Sequence, residues 1–158
     1  MNRVLAYLFR FIVISIGYAV ATLAASAFLN VVTLAWFGFT PEETRMVATG
    51  SFVFSIPFVA LFVAYFAFIP AVFAIVIGEV TGKRDWLFYA LAGAVVALII
   101  IGFSRGGGGA AFAEIADLNF ALVVIGSGMC GGIGYWLVAG RSAGNWRRDR
   151  DDPISPGP

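Results

Sequence analysis

Apolar residues fill four long segments of the chain, and charged residues or proline bound each of them. The segments cover about residues 11–35, 47–78, 86–103 and 118–139. A helix crosses a bilayer with about 20 apolar residues, so each segment is predicted to span the membrane once. The second segment exceeds one straight crossing and contains Pro57 and Pro70, which predicts a tilt, a kink or a protruding end.

Composition agrees with this pattern. Hydrophobic residues make up 61% of the chain and charged residues only 12%, whereas soluble domains carry about 25% charged residues. The predicted fold class is therefore an all-α integral membrane protein, a four-transmembrane-helix bundle within residues 1–140. Residues 141–158 are polar and rich in proline, and they are predicted to form a disordered cytoplasmic tail.

Small residues recur at steps of three and four along the predicted helices, which places them on one face of each helix. In the second and third segments the candidate packing residues are Ala60, Ala64, Ala67, Ala71, Gly93 and Ala97. Helices in lipid associate mainly through such small residues, and a step of about 3.5 residues predicts left-handed packing. The bulky faces, including the phenylalanines of the second segment, are expected to contact lipid.

The fourth segment carries the densest set of small residues. Two overlapping ladders with a step of four contain Gly126, Gly128, Cys130, Gly132 and Gly134. This pattern predicts a central helix of the bundle, or a helix that also packs against a neighbouring chain. Gly126–Gly131 also matches G-x-G-x-x-G, a dinucleotide-binding pattern. An arginine-rich segment follows it rather than a second βα unit, so no cofactor site is predicted.

Polar residues form a stripe along the first segment at steps of three and four. The stripe consists of Ser15, Thr22, Ser26, Asn30 and Thr33. Interhelical hydrogen bonds are the ordinary use of such residues in a membrane bundle, and we expect packing to be their role. The alternative is the lining of a polar path, in which Asn30 would be the central member.

The distribution of Lys and Arg predicts the orientation. Eight basic residues fall on the side shared by both termini and the middle loop, and two fall on the other side. Basic residues mark the cytoplasmic side, so both termini are predicted to be cytoplasmic. Nine of the ten basic residues are Arg, and with the Ala and Gly content this indicates a GC-rich bacterial genome, so we expect a bacterial inner membrane. The first segment, with Arg3 and Arg10 before it, also resembles a cleaved signal peptide, but its apolar run continues to Phe39 and favours an uncleaved span.

Candidates for chemistry are few. The chain has no histidine and a single cysteine, Cys130, and no span has a charged residue at its centre. Glu79 at the edge of the second segment is the best proton-carrying candidate, although we expect it to be a loop residue facing Lys83 or Arg84. We predict no catalytic residues, no metal site and no cofactor. The net charge of +1 gives no indication of nucleic-acid binding.

These observations favour a non-enzymatic multi-pass membrane protein that acts through helix packing. Its partners would be the lipid bilayer and either copies of itself, in a homo-oligomer, or a larger membrane complex in which it is an accessory or assembly subunit. Two alternatives remain open at this stage. One is a small oligomeric transporter or channel for a neutral or apolar solute, and the other is a lipid or quinone binder.

Overall fold

Four long helices make up most of the protein. The computed structural model describes residues 3–36, 41–106 and 118–144. Within these ranges the helices are α1 (Arg3–Trp36), α2 (Pro41–Thr81), α3 (Trp86–Gly106) and α4 (Leu118–Val138). Each contains a stretch long and apolar enough to cross a bilayer. The chain is an integral membrane protein, and the predicted all-α bundle of four apolar helices is confirmed.

Two helices continue well beyond the segments predicted from hydropathy. α1 begins at Arg3 rather than near residue 11, and α2 begins at Pro41 rather than near residue 47. At the start of α2 the added residues are mostly polar and precede the candidate span Phe52–Thr81, so the helix extends beyond the apolar stretch. At the start of α1 the added residues are mostly apolar, and the candidate span Tyr7–Trp36 includes Arg10. With 41 residues, α2 is roughly 60 Å long at 1.5 Å per residue, about twice the thickness of the hydrocarbon core.

A glycine turn ends α2 and leads directly into α3. Gly82 has a φ of 64°, and the Lys83 N–H donates to the Gly78 carbonyl at 3.2 Å. This six-to-one bond with a left-handed glycine is a common helix stop, which a side chain with a Cβ would strain. The short connection brings α3 back antiparallel to α2.

The helices form a ring in the order α1, α4, α3, α2. α4 makes its most extensive contacts with α3 on one side and α1 on the other, and α2 completes the ring through smaller contacts with α1 and α3. α2 also buries the smallest share of its apolar span. α4 thus makes the most extensive contacts of the four helices, while α2 is the most exposed helix of the ring.

The chain stays packed against the bundle after α4. Gly140–Ser142 form a 3₁₀ turn, Ala139 and Ala143 are fully buried, and Gly144 lies against Gly82. The tail predicted to be disordered from residue 141 is therefore ordered through Gly144. Small residues allow this segment to fit between the helix ends. The rest of the predicted tail lies outside the described residues.

Candidate functional site

The contact between α3 and α4 depends on facing glycines. A Cβ at Gly93 would lie 2.7 Å from the Gly128 carbonyl carbon, and one at Gly128 would lie 2.9 Å from the Ala97 Cβ. A Cβ at Gly132 would lie 2.7 Å from the carbonyl carbon of Tyr89. The two backbones are thus in direct contact, with no room for a side chain between them. The structure places these candidate packing residues together.

The opposite side of α4 uses other glycines against α1. A Cβ at Gly134 would lie 3.1 Å from the Ala24 Cβ, and one at Gly126 would lie 3.0 Å from the Phe28 ring. Gly131 and, on α1, Gly17 are equally tight, although the sequence pattern did not single them out. Cys130 is half-buried. α4 is therefore approached closely from two sides, by α1 and by α3.

The alanine stripe of α2 faces the interior of the ring. Ala60 and Ala67 are buried, and Ala67 and Ala71 line a cavity between the helices. The Ala64 carbonyl accepts a hydrogen bond from the Tyr18 hydroxyl of α1 at 2.6 Å. The opposite face of α2 is exposed and carries most of its aromatic side chains.

The polar stripe of α1 divides into members that bond to α2 and members that face outward. Ser26 is fully buried and donates to the Ile56 carbonyl at 2.7 Å. The Asn30 amide donates to the Ser26 carbonyl at 2.8 Å and its carbonyl oxygen accepts from Ser55. Ser15 and Thr33 are exposed. The stripe is thus not one continuous lining, and its buried part ties α1 to α2.

Thr22 is the remaining member of the stripe. It is buried, it donates to the Ala19 carbonyl of its own helix at 2.9 Å, and it lines the interior cavity. Its hydroxyl hydrogen is therefore used within α1, while the oxygen keeps the capacity to accept.

A partly buried ion pair joins the ends of three helices. Arg10 of α1 pairs with Glu79 of α2, and their side chains are 16% and 12% exposed. Arg10 also donates to Ser142 Oγ at 2.7 Å and to the Ala139 carbonyl at 3.2 Å. The expectation that Glu79 is a loop residue facing Lys83 or Arg84 is wrong. Glu79 lies inside α2, which extends to Thr81, and its partner comes from α1.

Further contacts at the same end hold the α2–α3 turn against the segment after α4. Arg84 Nε donates to the Ala143 carbonyl at 3.0 Å, and the Trp136 indole donates to the Arg84 carbonyl at 2.7 Å. Arg141 lies over the Trp136 ring, 4.5 Å from its centroid. Together with the Arg10–Glu79 pair these bonds form a polar cap that fixes the helix ends relative to each other.

A cavity of about 100 Å³ lies inside the ring, next to this cap. All four helices contribute to its wall, which consists mainly of alanine, glycine and valine, together with Thr22, Ile75 and the three tyrosines Tyr18, Tyr89 and Tyr135. The rings of Tyr89 and Tyr135 are 5.4 Å apart. The small residues that allow close helix contact elsewhere leave this space where the helices diverge.

No protein-family model, curated protein or solved structure matches this chain.

Three features of the site did not follow from the sequence pattern. The first is the pairing of Arg10 with Glu79, the second is the cavity with Tyr135 in its wall, and the third is Tyr65, an outward-facing tyrosine near the middle of α2. A usable signal existed for Tyr65. Tyrosine is enriched at membrane interfaces, so a tyrosine near the middle of the span Phe52–Thr81 needs an explanation that a phenylalanine does not. Tyr135 gave no such signal, because it lies near the end of the span Leu118–Val138.

Proposed function

We propose that the protein is a non-enzymatic small membrane protein that acts through helix packing, as a self-associating scaffold whose contact face lies on α2. An accessory or assembly subunit of a larger membrane complex is the related alternative. The observation that carries the proposal is the position of Tyr65 on the outer face of α2.

Tyr65 places a polar group where lipid cannot satisfy it. The residue is 79% exposed and lies close to the middle of the candidate span Phe52–Thr81. Its hydroxyl makes no hydrogen bond with the residues that the structure describes. Hydrocarbon offers no hydrogen-bond partner, and an unsatisfied hydroxyl there costs about 1–3 kcal/mol. A protein partner on this face would remove that cost.

The neighbouring phenylalanines have no polar group that needs a partner. Phe58, Phe62 and Phe66 are exposed on the same helix, and their aromatic rings can contact acyl chains without leaving a hydrogen-bonding group unsatisfied. The aromatic face by itself is thus accounted for by lipid contact. Only the hydroxyl of Tyr65 distinguishes a protein contact from a lipid contact.

A second copy of the chain is the occupant that fits best. Copies inserted in the same orientation are related by an axis along the membrane normal, so each residue meets its equivalent at the same depth. The exposed residues around Tyr65 are apolar, so they offer no side-chain acceptor. A tyrosine hydroxyl both donates and accepts, so two Tyr65 residues can satisfy each other.

The hydrogen bonds of α1 favour packing over transport. A polar path needs groups that remain available to a passing solute. Ser26 and Asn30, the buried core of the stripe, instead bond to Ile56 and Ser55 of α2. Their role in the structure is to hold α1 and α2 together, which supports the scaffold over the channel or transporter.

The orientation proposed here has both termini in the cytoplasm of a bacterial cell. Arg10 and Arg84 each contact the segment that follows α4, and Arg141 belongs to that segment. Arg10, Arg84 and Arg141 therefore lie at the same end of the bundle, as expected for basic residues on the cytoplasmic face.

Subunit counting tests the scaffold and the orientation together. A fluorescent protein that matures only in the cytoplasm is fused to the C-terminus, and bleaching steps are counted in particles taken from native membranes. We expect fluorescence and two steps per particle. One-step particles without another polypeptide would contradict the proposal, and one-step particles with a stoichiometric second polypeptide would identify the accessory subunit. A dark fusion would overturn the orientation.

A further inference from the structure

The polar cap lies where three candidate spans begin or end. The span of α2 ends at Thr81, that of α3 begins at Trp86, and that of α4 ends at Val138. Trp86 and Trp136 both belong to this end of the bundle, and tryptophan is enriched at the level of the lipid headgroups. The side chains of the cap are therefore placed at the depth of the headgroups.

The basic residues at this end differ in how far their charges are already used within the protein. Arg10 pairs with Glu79, and Arg84 Nε donates to a backbone carbonyl of the segment after α4. Lys83 and Arg141 are exposed, and neither forms an ion pair with another residue that the structure describes. Within the described residues, these two positive charges remain available to an anion from outside the chain.

Trp136 holds Arg141 in place. The guanidinium lies over the indole ring, 4.5 Å from its centroid, and the indole N–H donates to the Arg84 carbonyl at 2.7 Å. The ring thus joins Arg141 to the turn that also carries Lys83. A guanidinium over a ring keeps the N–H groups of its edge available, and their planar arrangement suits two oxygens of one phosphate.

The acidic residues at this end do not cancel the positive charge. Glu79 is bound by Arg10, and Asp85 Oδ1 accepts a hydrogen bond from the Leu87 N–H at the start of α3, at 3.2 Å. The described residues here carry four positive and two negative charges, on Arg10, Lys83, Arg84 and Arg141 against Glu79 and Asp85. A net positive charge at headgroup depth attracts anionic lipid.

We propose that this end of the bundle binds one anionic phospholipid, whose phosphate is held by Arg141 and Lys83. The source of the phosphate is a lipid because apolar side chains lie beside the cations. Leu87 and Leu137 are exposed next to the cap, where they can contact acyl chains, and a soluble phosphate would gain nothing from them. The site is separate from the outer face of α2 proposed for self-association, so either assignment can fail without the other.

Two lipids with identical acyl chains isolate the charge of the headgroup. Phosphatidylglycerol and phosphatidylcholine both contain a phosphate, but only phosphatidylglycerol carries a net negative charge. The full chain, freed of lipid in a non-ionic detergent, is titrated with each, and native mass spectrometry counts the lipids retained. We expect one phosphatidylglycerol per chain, bound at least about five-fold more tightly than phosphatidylcholine, a difference of roughly 1 kcal/mol for one basic residue. Inorganic phosphate at the same concentration should not displace it.

Three variants complete the test. Arg141→Gln and Lys83→Gln each remove one exposed charge, and each should weaken phosphatidylglycerol binding about five-fold while leaving phosphatidylcholine binding unchanged. Arg45→Gln removes the same charge near the start of α2, at the opposite end of the bundle, and should bind like the wild type.

Four results would overturn the proposal. They are equal binding of the two lipids by the wild type, unchanged phosphatidylglycerol binding in either Arg141→Gln or Lys83→Gln, an equal loss in Arg45→Gln, and displacement of the lipid by inorganic phosphate. The third result would show an effect of net charge alone, and the fourth would assign the site to a soluble anion.

Discussion

Arg10 and Glu79 show what single residues contribute to this bundle. Each lies within a candidate span, in Tyr7–Trp36 and Phe52–Thr81, where an isolated charge would be costly. The pair is acceptable because each charge neutralises the other and because Ser142 and the backbone of Ala139 accept further hydrogen bonds from Arg10. The same bonds hold the segment after α4 in place.

Replacing Glu79 with Gln should destabilise the protein. The substitution keeps the shape of the side chain but leaves the Arg10 charge partly buried without its counterion, which we expect to cost about 2 kcal/mol of unfolding free energy. Titration of mixed micelles with SDS measures that free energy. Glu42→Gln, the same change at an exposed position of α2, is the matched control. Equal unfolding midpoints for the two variants would show that the ion pair contributes nothing.

The sequence could not have identified this pair. Arg10 and Glu79 are 69 positions apart, and hydropathy shows only that both lie near a span edge on the same side of the membrane. Three basic residues lie close to this edge on the same side of the membrane: Arg10 near the start of the first span, and Lys83 and Arg84 just after the second. The choice of Arg10 depends on α2 continuing to Thr81, which turns Glu79 toward α1.

At the scale of the element, α4 shows how far a small-residue pattern can be interpreted. The glycines predicted a helix approached closely from more than one side, and the structure places α1 and α3 on those two sides. The pattern could not say which glycine meets which helix. Gly128 and Gly132 contact α3 while Gly131 and Gly134 contact α1, a division that depends on the rotation of α4 about its axis.

Gly128→Leu should disrupt the contact between α3 and α4. The new side chain would overlap the backbone of Gly93, which cannot move aside as a flexible side chain would, and overpacking of this kind costs about 3 kcal/mol. Gly102→Leu is the control, since a Cβ there meets nothing within 4 Å. Thermal unfolding monitored by circular dichroism compares them. A Gly128→Leu protein as stable as Gly102→Leu would place the contact elsewhere.

Helix boundaries mark the limit of prediction at this scale. Hydropathy located all four spans because the bilayer selects for apolar side chains over a fixed thickness. It did not show that α1 begins at Arg3 and α2 at Pro41, and it assigned the ordered residues 141–144 to a tail. The start of α2 is polar and the segment after α4 is held by close packing of alanine and glycine, whereas the start of α1 is apolar and its candidate span includes Arg10.

At the scale of the whole molecule, the ring of helices separates two kinds of surface. α4 is joined to α1 and α3 by close contacts at its glycines, while α2 makes smaller contacts with α1 and α3 and leaves its aromatic face uncovered. The small-residue stripes of α2 and α4 are used inside the ring in the part of the chain that the structure describes. The proposed self-association therefore depends on the outer face of α2 and on the hydroxyl of Tyr65.

The most direct test of this account is the effect of Tyr65→Phe on self-association. Donor- and acceptor-labelled proteins are reconstituted together, and energy transfer is followed as lipid dilutes the protein. The variant keeps the aromatic ring and loses only the hydroxyl. Tyr7→Phe, at an exposed position near the end of the first span, controls for the loss of a tyrosine hydroxyl as such.

We predict that the wild type and Tyr7→Phe associate equally and that Tyr65→Phe dissociates at about five-fold higher protein density in the membrane, the effect of roughly 1 kcal/mol from an interhelical hydrogen bond. Identical dilution curves for wild type and Tyr65→Phe, or a wild type that shows no energy transfer at any dilution, would contradict the account.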